Sequence, residues 1–190
     1  MKQWVFLFAL FCFNACVTLP QIAGGQRVAQ PGVSFIPPAG KPWSVLMQST
    51  YQISLGARGS SENETFVTNV SIYQLPSTLS PQQFLAHVRA GRAAEPQTGR
   101  FEVISNEEQL YADRPETCVK HRASSKDYGA GRGADFTVID YLGMNCIHPK
   151  APRVGILVEL SRKSPPSVAG PSFEALGMSL LRSVEFTQFK

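Results

Sequence analysis

The sequence is poor in the residues from which many catalytic and metal sites are built. Of 190 residues, only three are histidine and four are cysteine, and the charged fraction is 17%. No serine lies in the strand-to-helix turn motif of the α/β-hydrolases, and no histidine is placed beside a nucleophile. We therefore expect no catalytic residue, no bound metal and no cofactor, and an enzyme is not favoured.

Repeats, heptads and concentrated charge are also lacking. The most apolar run of the later chain, Val154 to Leu160, has only the length of a strand. The formal net charge is +4, and the basic residues are scattered along the sequence. Because a nucleic-acid-binding surface needs a concentrated basic patch, we expect no nucleic-acid partner.

The glycine-rich stretch from Gly129 to Gly133 has some likeness to a phosphate-binding loop. A nucleotide fingerprint needs a helix after the loop, whereas here a strand-like segment follows, so a glycine hairpin is favoured. Asp127, Asp135 and Asp140 flank the same hairpin. Nothing in the sequence pairs two of these carboxylates for acid–base chemistry.

The N-terminus has the pattern of a secretory signal. Lys2 supplies a positive charge, and an apolar run from Trp4 to Phe13 follows it. This run is too short to cross a bilayer, for which roughly 20 apolar residues are needed. A short positive start, an apolar stretch and a small residue near its end are typical of a signal that is removed during export.

The end of the apolar run reads Phe13-Asn14-Ala15-Cys16. This segment resembles the lipobox of bacterial lipoproteins, in which a small residue precedes a cysteine that is acylated and becomes the first mature residue. The resemblance implies a signal peptide at residues 1–15 and acyl chains such as palmitate on Cys16. The chain would then be anchored to a membrane of the bacterial envelope and face the periplasm. The alternative is cleavage by the ordinary signal peptidase between Cys16 and Gly24.

Residues 16–42 are rich in glycine, proline, glutamine and alanine and carry few charges. Such a segment buries too little apolar surface to offset its ordering entropy, which predicts a lipid-anchored flexible tether. A short strand from Val33 to Ile36 is the exception. The domain itself is expected at residues 43–190.

Cysteine usage predicts one disulfide. Cys12 lies in the signal and Cys16 is the expected anchor, so Cys118 and Cys146 remain as a pair in an oxidising compartment. The strand-like segments 117–128 and 135–146 flank the glycine-rich loop. Folding about the middle of that loop places Cys118 directly opposite Cys146, close enough for a bond.

A zinc site is the alternative, because two cysteines with His121 and His148 could provide four ligands. Residues three apart on a strand point to opposite faces, however, so Cys118 and His121 should diverge. Cys146 and His148 are two apart and would share a face. The disulfide is favoured over zinc, and free thiols are the third alternative.

Two helices and several strands are predicted from local patterns. Ser80 is a good N-cap, with Pro81 at the first helical position, Gln83 completing a capping box and Gly91 as a stop. A second helix begins near Ser172. Its apolar side consists of Phe173, Leu176, Leu180, Leu181 and Val184, and its charges fit the helix dipole, with Glu174 near the start and Arg182 near the end.

Strand patterns occupy most of the remaining chain. Ser44 to Leu55 and Thr65 to Tyr73 read as an antiparallel hairpin, and Phe101 to Leu110 is expected to return to the same sheet. With the cysteine hairpin and the strand near Val154, these segments predict the fold class α+β. We expect a single layered domain, with a mostly antiparallel sheet of five or six strands and two flanking amphipathic helices.

The cysteine hairpin also carries the candidate ligand or partner contacts. Lys120, Arg122 and Lys126 alternate along one strand face, which is either a solvated face or a patch for an anionic ligand, and His148 lies at the strand end. The favoured function is a non-enzymatic binding or interaction module, with an envelope protein or a small ligand as partner. The alternative is a periplasmic metal-binding protein or a hydrolase-like enzyme that uses His148 and His121.

The segment Gly143-Met-Asn-Cys-Ile-His-Pro149, with the strand near Val154 and with Ser161-Arg162, resembles a set of small uncharacterised proteobacterial lipoproteins. That set has no agreed activity, so the resemblance implies a location in the bacterial envelope but no functional residue. The order of the predicted elements is also loosely similar to that of the PsbP/Mog1-like α/β sandwich. Fold alone implies no function.

Overall fold

Runs of alternating apolar and polar residues pair into two antiparallel sheets. The computed structural model describes residues 19–93, 99–129, 136–166 and 172–189. Within these ranges the chain forms, in order, β1 (Gln21–Ile22), β2 (Val28–Gln30), β3 (Val33–Phe35), β4 (Trp43–Gln48), β5 (Gln52–Arg58), β6 (Thr65–Gln74), α1 (Pro81–Ala93), β7 (Phe101–Leu110), β8 (Cys118–Asp127), β9 (Thr137–His148), β10 (Ala151–Ser164), α2 (Ser172–Arg182) and β11 (Glu185–Phe186).

The larger sheet has eight strands in the order β1-β4-β5-β6-β10-β9-β8-β7, and the smaller has three in the order β11-β3-β2. Consecutive strands pair from β4 to β6 and again from β7 to β10. The two groups join where β10 pairs with β6. As a result, β1 and β7 are the two edges of the larger sheet.

The helices cover opposite faces of the larger sheet. We call the face under α2 and the smaller sheet the α2 face, and the face under α1 the α1 face. The main core lies on the α2 face and includes Phe35, Leu55, Met144, Ile156 and Leu180. A smaller core lies under α1 and is formed by Leu75, Phe84, Val88 and Val119. Much of the α1 face beyond that helix is polar.

The predicted fold class, an α+β domain with five or six strands and two flanking helices, is wrong. The described chain is mostly β, with eleven strands and one eight-stranded sheet. The segment from Ser44 to Leu55, which reads as one strand, is two strands, β4 and β5. They are joined by a turn in which the backbone N–H of Ser49 donates to the carbonyl of Gln52 at 2.8 Å. The other additional strands are two or three residues long, too short for a periodic pattern.

Part of the segment 16–42, expected to be a tether, is packed in the domain. It contains β1, β2 and β3, and Val33 and Phe35 are completely buried. The strand predicted near Val33 is present as β3. Glycines of this segment with positive φ allow the tight turns between its short strands: Gly25, Gly32 and Gly40. The expected signal peptide and Cys16 lie outside the described residues.

The start of α1 is confirmed. The Gln83 backbone N–H donates to Ser80 Oγ at 3.4 Å, and the Ser80 N–H donates to Gln83 Oε1 at 2.9 Å, which is the reciprocal pattern of a capping box. The helix does not stop at Gly91 but continues to Ala93. The second helix, the strand from Phe101 and the strand through Val154 are also present, as α2, β7 and β10. Among the described residues, no helix is both long and apolar enough to span a membrane.

The cysteine hairpin is confirmed residue by residue. Cys118 of β8 stands directly opposite Cys146 of β9, and Asp127 stands opposite Thr137 nine residues further along β8. The two cysteines form a disulfide with an S–S distance of 2.04 Å. This bond excludes the predicted alternatives of zinc thiolates and free thiols for these two residues. The middle of the connecting loop, residues 130–135, lies outside the described part of the chain.

Candidate functional site

A row of residues crosses four strands on the α1 face. The register places Glu108 opposite His121, His121 opposite Gly143, and Gly143 opposite Glu159. The His121 side chain lies across the glycine, and its Nε2 is 2.8 Å from Glu159 Oε2. A Cβ at Gly143 would lie only 2.5 Å from that nitrogen. The glycine is therefore what allows the histidine and the carboxylate to meet over the intervening strand.

A second glycine plays the same part on β10. A Cβ at Gly155 would lie 2.3 Å from the ring of Tyr73, so the phenol can lie flat over this strand. The Tyr73 hydroxyl donates to Asn145 Oδ1 at 3.0 Å, and Asn145 Nδ2 is 3.5 Å from His121 Nδ1. Burial raises the pKa of Tyr73 to about 12, so the phenol keeps its proton and remains a donor.

The far end of this chain of contacts reaches helix α1. Arg92, in its last turn, lies 3.3 Å from Glu108 Oε1 and 3.6 Å from Glu159 Oε2. We call the six residues Tyr73, Asn145, His121, Glu159, Arg92 and Glu108 the polar network. The network joins strands from both halves of the larger sheet to the helix above them.

The hydrogen bonds of the network orient the Asn145 amide. Asn145 Oδ1 accepts from the Tyr73 hydroxyl, so its Nδ2 faces His121 Nδ1 at 3.5 Å. At the other end, the two carboxyl groups of Glu108 and Glu159 lie beside the guanidinium of Arg92. The Glu159 side chain is only 16% exposed.

A cleft opens beside the network, between the end of α1 and strands β7 to β10. Its volume is about 590 Å³, within the usual range for small-molecule sites. The cleft combines apolar and polar side chains: Arg92, Ala93, Phe101, Val103, Asn106, Ala123, Ser124, Ser125, Tyr141 and Glu159. Glu159 and Arg92 are thus the members of the polar network that line it. An apolar body with one polar group directed at these two side chains would fit this cleft.

The end of the β8–β9 hairpin is fixed by an ion pair beyond the cleft. The Arg100 guanidinium donates to both oxygens of Asp127, at 2.6 and 2.9 Å, and Lys163 Nζ donates to the second oxygen at 3.3 Å. The hydrogen bond from Arg100, followed by those from Gly129 N–H and Lys163, holds the pKa of Asp127 well below its usual range. This carboxylate therefore has a structural role.

The predicted contact residues Lys120, Arg122 and Lys126 share one strand face, which is the α2 face and not the face of the cleft. Each has a partner within the domain. Lys120 lies over the Tyr111 ring at 5.4 Å, Arg122 Nη1 is 3.2 Å from Glu174, and Lys126 Nζ is 2.8 Å from Glu102. Side chains engaged in this way form a paired, solvated surface.

His148, the fourth predicted contact, is buried. Its Nε2 lies 3.1 Å from the Gly32 carbonyl and 2.9 Å from the Thr187 carbonyl, while the Lys150 N–H donates to Nδ1 at 3.2 Å. The ring also packs against Phe186, 5.6 Å between centroids. These contacts attach the smaller sheet to the end of β9.

His121 and His148 do not converge. His121 lies in the polar network on the α1 face, and His148 lies on the α2 face against the smaller sheet. In the part of the chain that the structure describes, no group of three or more histidine, cysteine, aspartate or glutamate side chains is arranged to hold a metal ion. A site built on both histidines is therefore not proposed.

No family model matches this sequence, and no curated protein matches it. Among solved structures, the fold is similar to the crystal structure of the Ran-binding protein Mog1p from Saccharomyces cerevisiae. The similarity has a TM-score of 0.44 at 11% sequence identity and covers 90% of this chain and 96% of Mog1p.

Proposed function

We propose that this protein is an exported bacterial lipoprotein, held by acyl chains on Cys16 in a membrane facing the periplasm, whose domain binds a ligand without chemical turnover. The proposed export and lipid anchor rest on the apolar run from Trp4 to Phe13 and on the lipobox-like Ala15-Cys16. The disulfide between Cys118 and Cys146 supports the export, because such bonds persist in oxidising compartments.

The cleft beside the polar network is the observation that carries the binding role. It is large enough for a small molecule, and its lining combines aromatic and aliphatic side chains with polar and charged ones. Glu159 brings a carboxyl group of the network to the wall of the cleft. A ligand with an apolar body and a cationic or hydrogen-bond-donating group therefore fits best.

A binding role is favoured over catalysis by the position of His121. Its side chain is 0% exposed, and both of its ring nitrogens are engaged, by Glu159 and by Asn145. A general base must come within hydrogen-bond reach of the proton that it removes. Here the histidine instead positions the carboxylate that lines the cleft.

The lipid anchor and the oxidising compartment are tested together by the intact mass of the protein purified from membranes, measured before and after reduction and alkylation. We expect the mass of an acylated chain that begins at Cys16, with two thiols that react only after reduction. An unacylated chain would contradict the lipid anchor. Thiols that react without reduction would contradict the disulfide and the oxidising address.

The binding role is tested with rhodamine 6G, a cationic aromatic dye. We expect saturable binding at one site, followed by fluorescence anisotropy. The substitution Ala123→Leu should weaken it by filling the cleft. Glu159→Gln should weaken it about tenfold, or about 1.4 kcal/mol, by removing the negative charge.

The matched control is Ala175→Leu, which adds the same atoms in a different groove, beside α2. It should leave dye affinity unchanged. The anionic dye 1-anilinonaphthalene-8-sulfonate should bind more weakly than rhodamine 6G. Equal loss of affinity in the two leucine variants, or tighter binding of the anionic dye, would contradict the proposed site.

A protein partner is the second candidate, and the edge strand β7 favours it. Val103 and Ile104 on this strand are 57% and 52% exposed, and one side of its backbone has no neighbouring strand in the described chain. An exposed edge can accept an extended segment of another protein. A photo-crosslinking residue at Ile104 in intact cells would capture such a partner. Capture of the same proteins from a site on α2 would contradict pairing at this edge.

A further inference from the structure

An apolar surface lies at the opposite edge of the larger sheet from β7. Four exposed apolar side chains lie along this edge, just before β1, on β4 and in the β4–β5 turn, and we call them the β4 patch: Leu19 (42% exposed), Leu46 (51%), Met47 (52%) and Tyr51 (69%). Leu19 and Leu46 also line a groove of about 780 Å³ along β1, β4 and β5. Exposed apolar side chains gathered in this way are typical of a contact surface.

We propose that the β4 patch rests on the membrane that holds the lipid anchor, so that the domain is seated on the lipid surface by this edge. This inference rests on the proposed acylation of Cys16. It adds a second membrane contact, made by the folded domain, and it fixes which edge of the sheet faces the lipid.

The length of chain between the anchor and the patch leads to this arrangement. Only Val17 and Thr18 separate Cys16 from Leu19. Three residue steps of extended chain span at most about 11 Å, at roughly 3.6 Å per residue. An acylated Cys16 therefore keeps Leu19 within that distance of the lipid.

The chain that follows Leu19 belongs to the sheet. The Val45 backbone N–H donates to the Pro20 carbonyl at 2.9 Å, and Gln21 pairs with Ser44. The same register continued by two residues brings Leu19 beside Leu46, which lies over Gly56. The segment between the anchor and the folded domain is therefore too short for the domain to move away from the membrane. The surface around Leu19 must be the part of the domain nearest to the lipid.

The charges of the groove suit an anionic lipid surface. Lys41 and Arg58 are the charged residues among its described lining, and both are basic. Arg58 is exposed, and Lys41 Nζ lies 4.8 Å from the Phe66 ring centroid. Basic side chains beside exposed apolar ones are the composition that binds anionic headgroups at an interface.

This arrangement would hold the ligand cleft away from the lipid. Six strand spacings separate β4 from β7 in the sheet order, which at about 4.8 Å each places the two edges roughly 29 Å apart. The cleft between β7 and β10 would then remain open to the periplasm. An apolar edge at the membrane and a ligand cleft near the far edge are compatible functions of one sheet.

Depth-dependent quenching tests the proposal on the full acylated chain. Leu46→Cys is labelled with bimane, and the protein is reconstituted in vesicles of phosphatidylethanolamine and phosphatidylglycerol that contain lipids brominated along the acyl chain. The matched control is Ile104→Cys on β7, because Ile104 is 52% exposed and Leu46 is 51% exposed. Both labels replace an aliphatic side chain on an edge region of the same sheet.

We expect the Leu46 label to be quenched at least threefold more than the Ile104 label. Equal quenching of the two labels, in a preparation whose mass shows acylated Cys16, would overturn the proposed contact between the β4 patch and the membrane. It would leave the lipoprotein proposal intact. A mass without acyl chains would overturn both. The double substitution Lys41→Gln and Arg58→Gln should bring quenching at Leu46 down to the level seen in neutral phosphatidylcholine vesicles. No change in that variant would overturn the role assigned to anionic headgroups.

Discussion

His121 and Glu159 are in contact across an intervening strand, at 2.8 Å, because the residue between them is Gly143. Side chains on neighbouring strands normally meet directly opposite one another. These two belong to β8 and β10, and β9 runs between them. The contact therefore depends on the absence of a Cβ at Gly143 as much as on the two side chains that meet.

The substitution Gly143→Ala should destabilise the domain. Its Cβ would lie 2.5 Å from His121 Nε2 and 2.8 Å from the Val158 carbonyl oxygen, so both the side chain and a strand backbone would have to move. Overpacking of this kind typically costs about 1–3 kcal/mol. Urea denaturation followed by circular dichroism measures this loss.

Gly91→Ala is the matched control for that substitution. Nothing lies within 4 Å of a Cβ at Gly91, which is in the last turns of α1, and alanine favours helix over glycine by up to about 1 kcal/mol. We expect this variant to be unchanged or slightly more stable. If both alanine variants lost the same stability, the close approach at Gly143 would not be the cause.

The polar network shows what the sequence alone does not reveal. Tyr73 and Asn145 are 72 residues apart, and His121 and Glu159 are 38 apart, so no local pattern joins them. Each strand of the network contributes one polar residue, and the alternation of apolar and polar residues along that strand does not single it out. The available signal was a glycine inside each of two predicted strands, at Gly143 and Gly155, because a glycine there often marks a close approach of another group.

The cysteine hairpin, by contrast, could be predicted in full. Its two strands are symmetric about one glycine-rich turn, so a single assumption about that turn fixes the pairing of Cys118 with Cys146. The alternation of Lys120, Arg122 and Lys126 was also correct. Their partners could not be predicted, because Glu102 and Glu174 come from other elements of the fold. Register is a local property of a hairpin, whereas ion pairing depends on the whole fold.

Removal of the disulfide should cost stability without changing the fold. The bond closes a loop between residues 28 apart in sequence, for which the chain-entropy model gives about 3–4 kcal/mol. We expect the double substitution Cys118→Ala and Cys146→Ala to lower the free energy of unfolding by about this amount. Wild-type protein unfolded in the presence of a reductant should give a similar value. Equal stability of wild type with and without reductant would contradict this role of the bond.

The ion pair at the end of the hairpin predicts a loss of stability in acid. The pKa of Asp127 in the folded state is held below that of an unfolded aspartate, which is about 3.9, chiefly by the hydrogen bond from Arg100. The unfolded chain therefore binds the proton more readily than the folded one. The contribution of Asp127 is present above about pH 5 and is lost as the pH falls through 4 toward the lower folded value.

The measurement is the free energy of unfolding from pH 6 to pH 3, compared between wild type and Asp127→Asn. The asparagine variant should be less stable at pH 6, and the difference between the two proteins should shrink at pH 3. Arg100→Gln should also reduce the acid dependence, because the main hydrogen bond that lowers the pKa of Asp127 is removed. Parallel curves for wild type and Asp127→Asn would contradict the assignment.

His148 should hold the smaller sheet in place. Its Nε2 donates to the carbonyls of Gly32 and Thr187, which face each other at one end of the β3–β11 pair, and its side chain is buried. Replacement of His148 by Gln should lower the stability of the domain by about 1–3 kcal/mol, because the Thr187 carbonyl loses its donor and the ring contact with Phe186 is lost. Hydrogen exchange should show the largest loss of protection in β3 and β11.

The matched control is His87→Gln, at a half-buried position on α1. It makes the same chemical change outside that contact and should alter stability by less than about 0.5 kcal/mol. Uniform loss of protection over the larger sheet in the His148 variant would show that the histidine stabilises the core as a whole, contrary to the local role argued here.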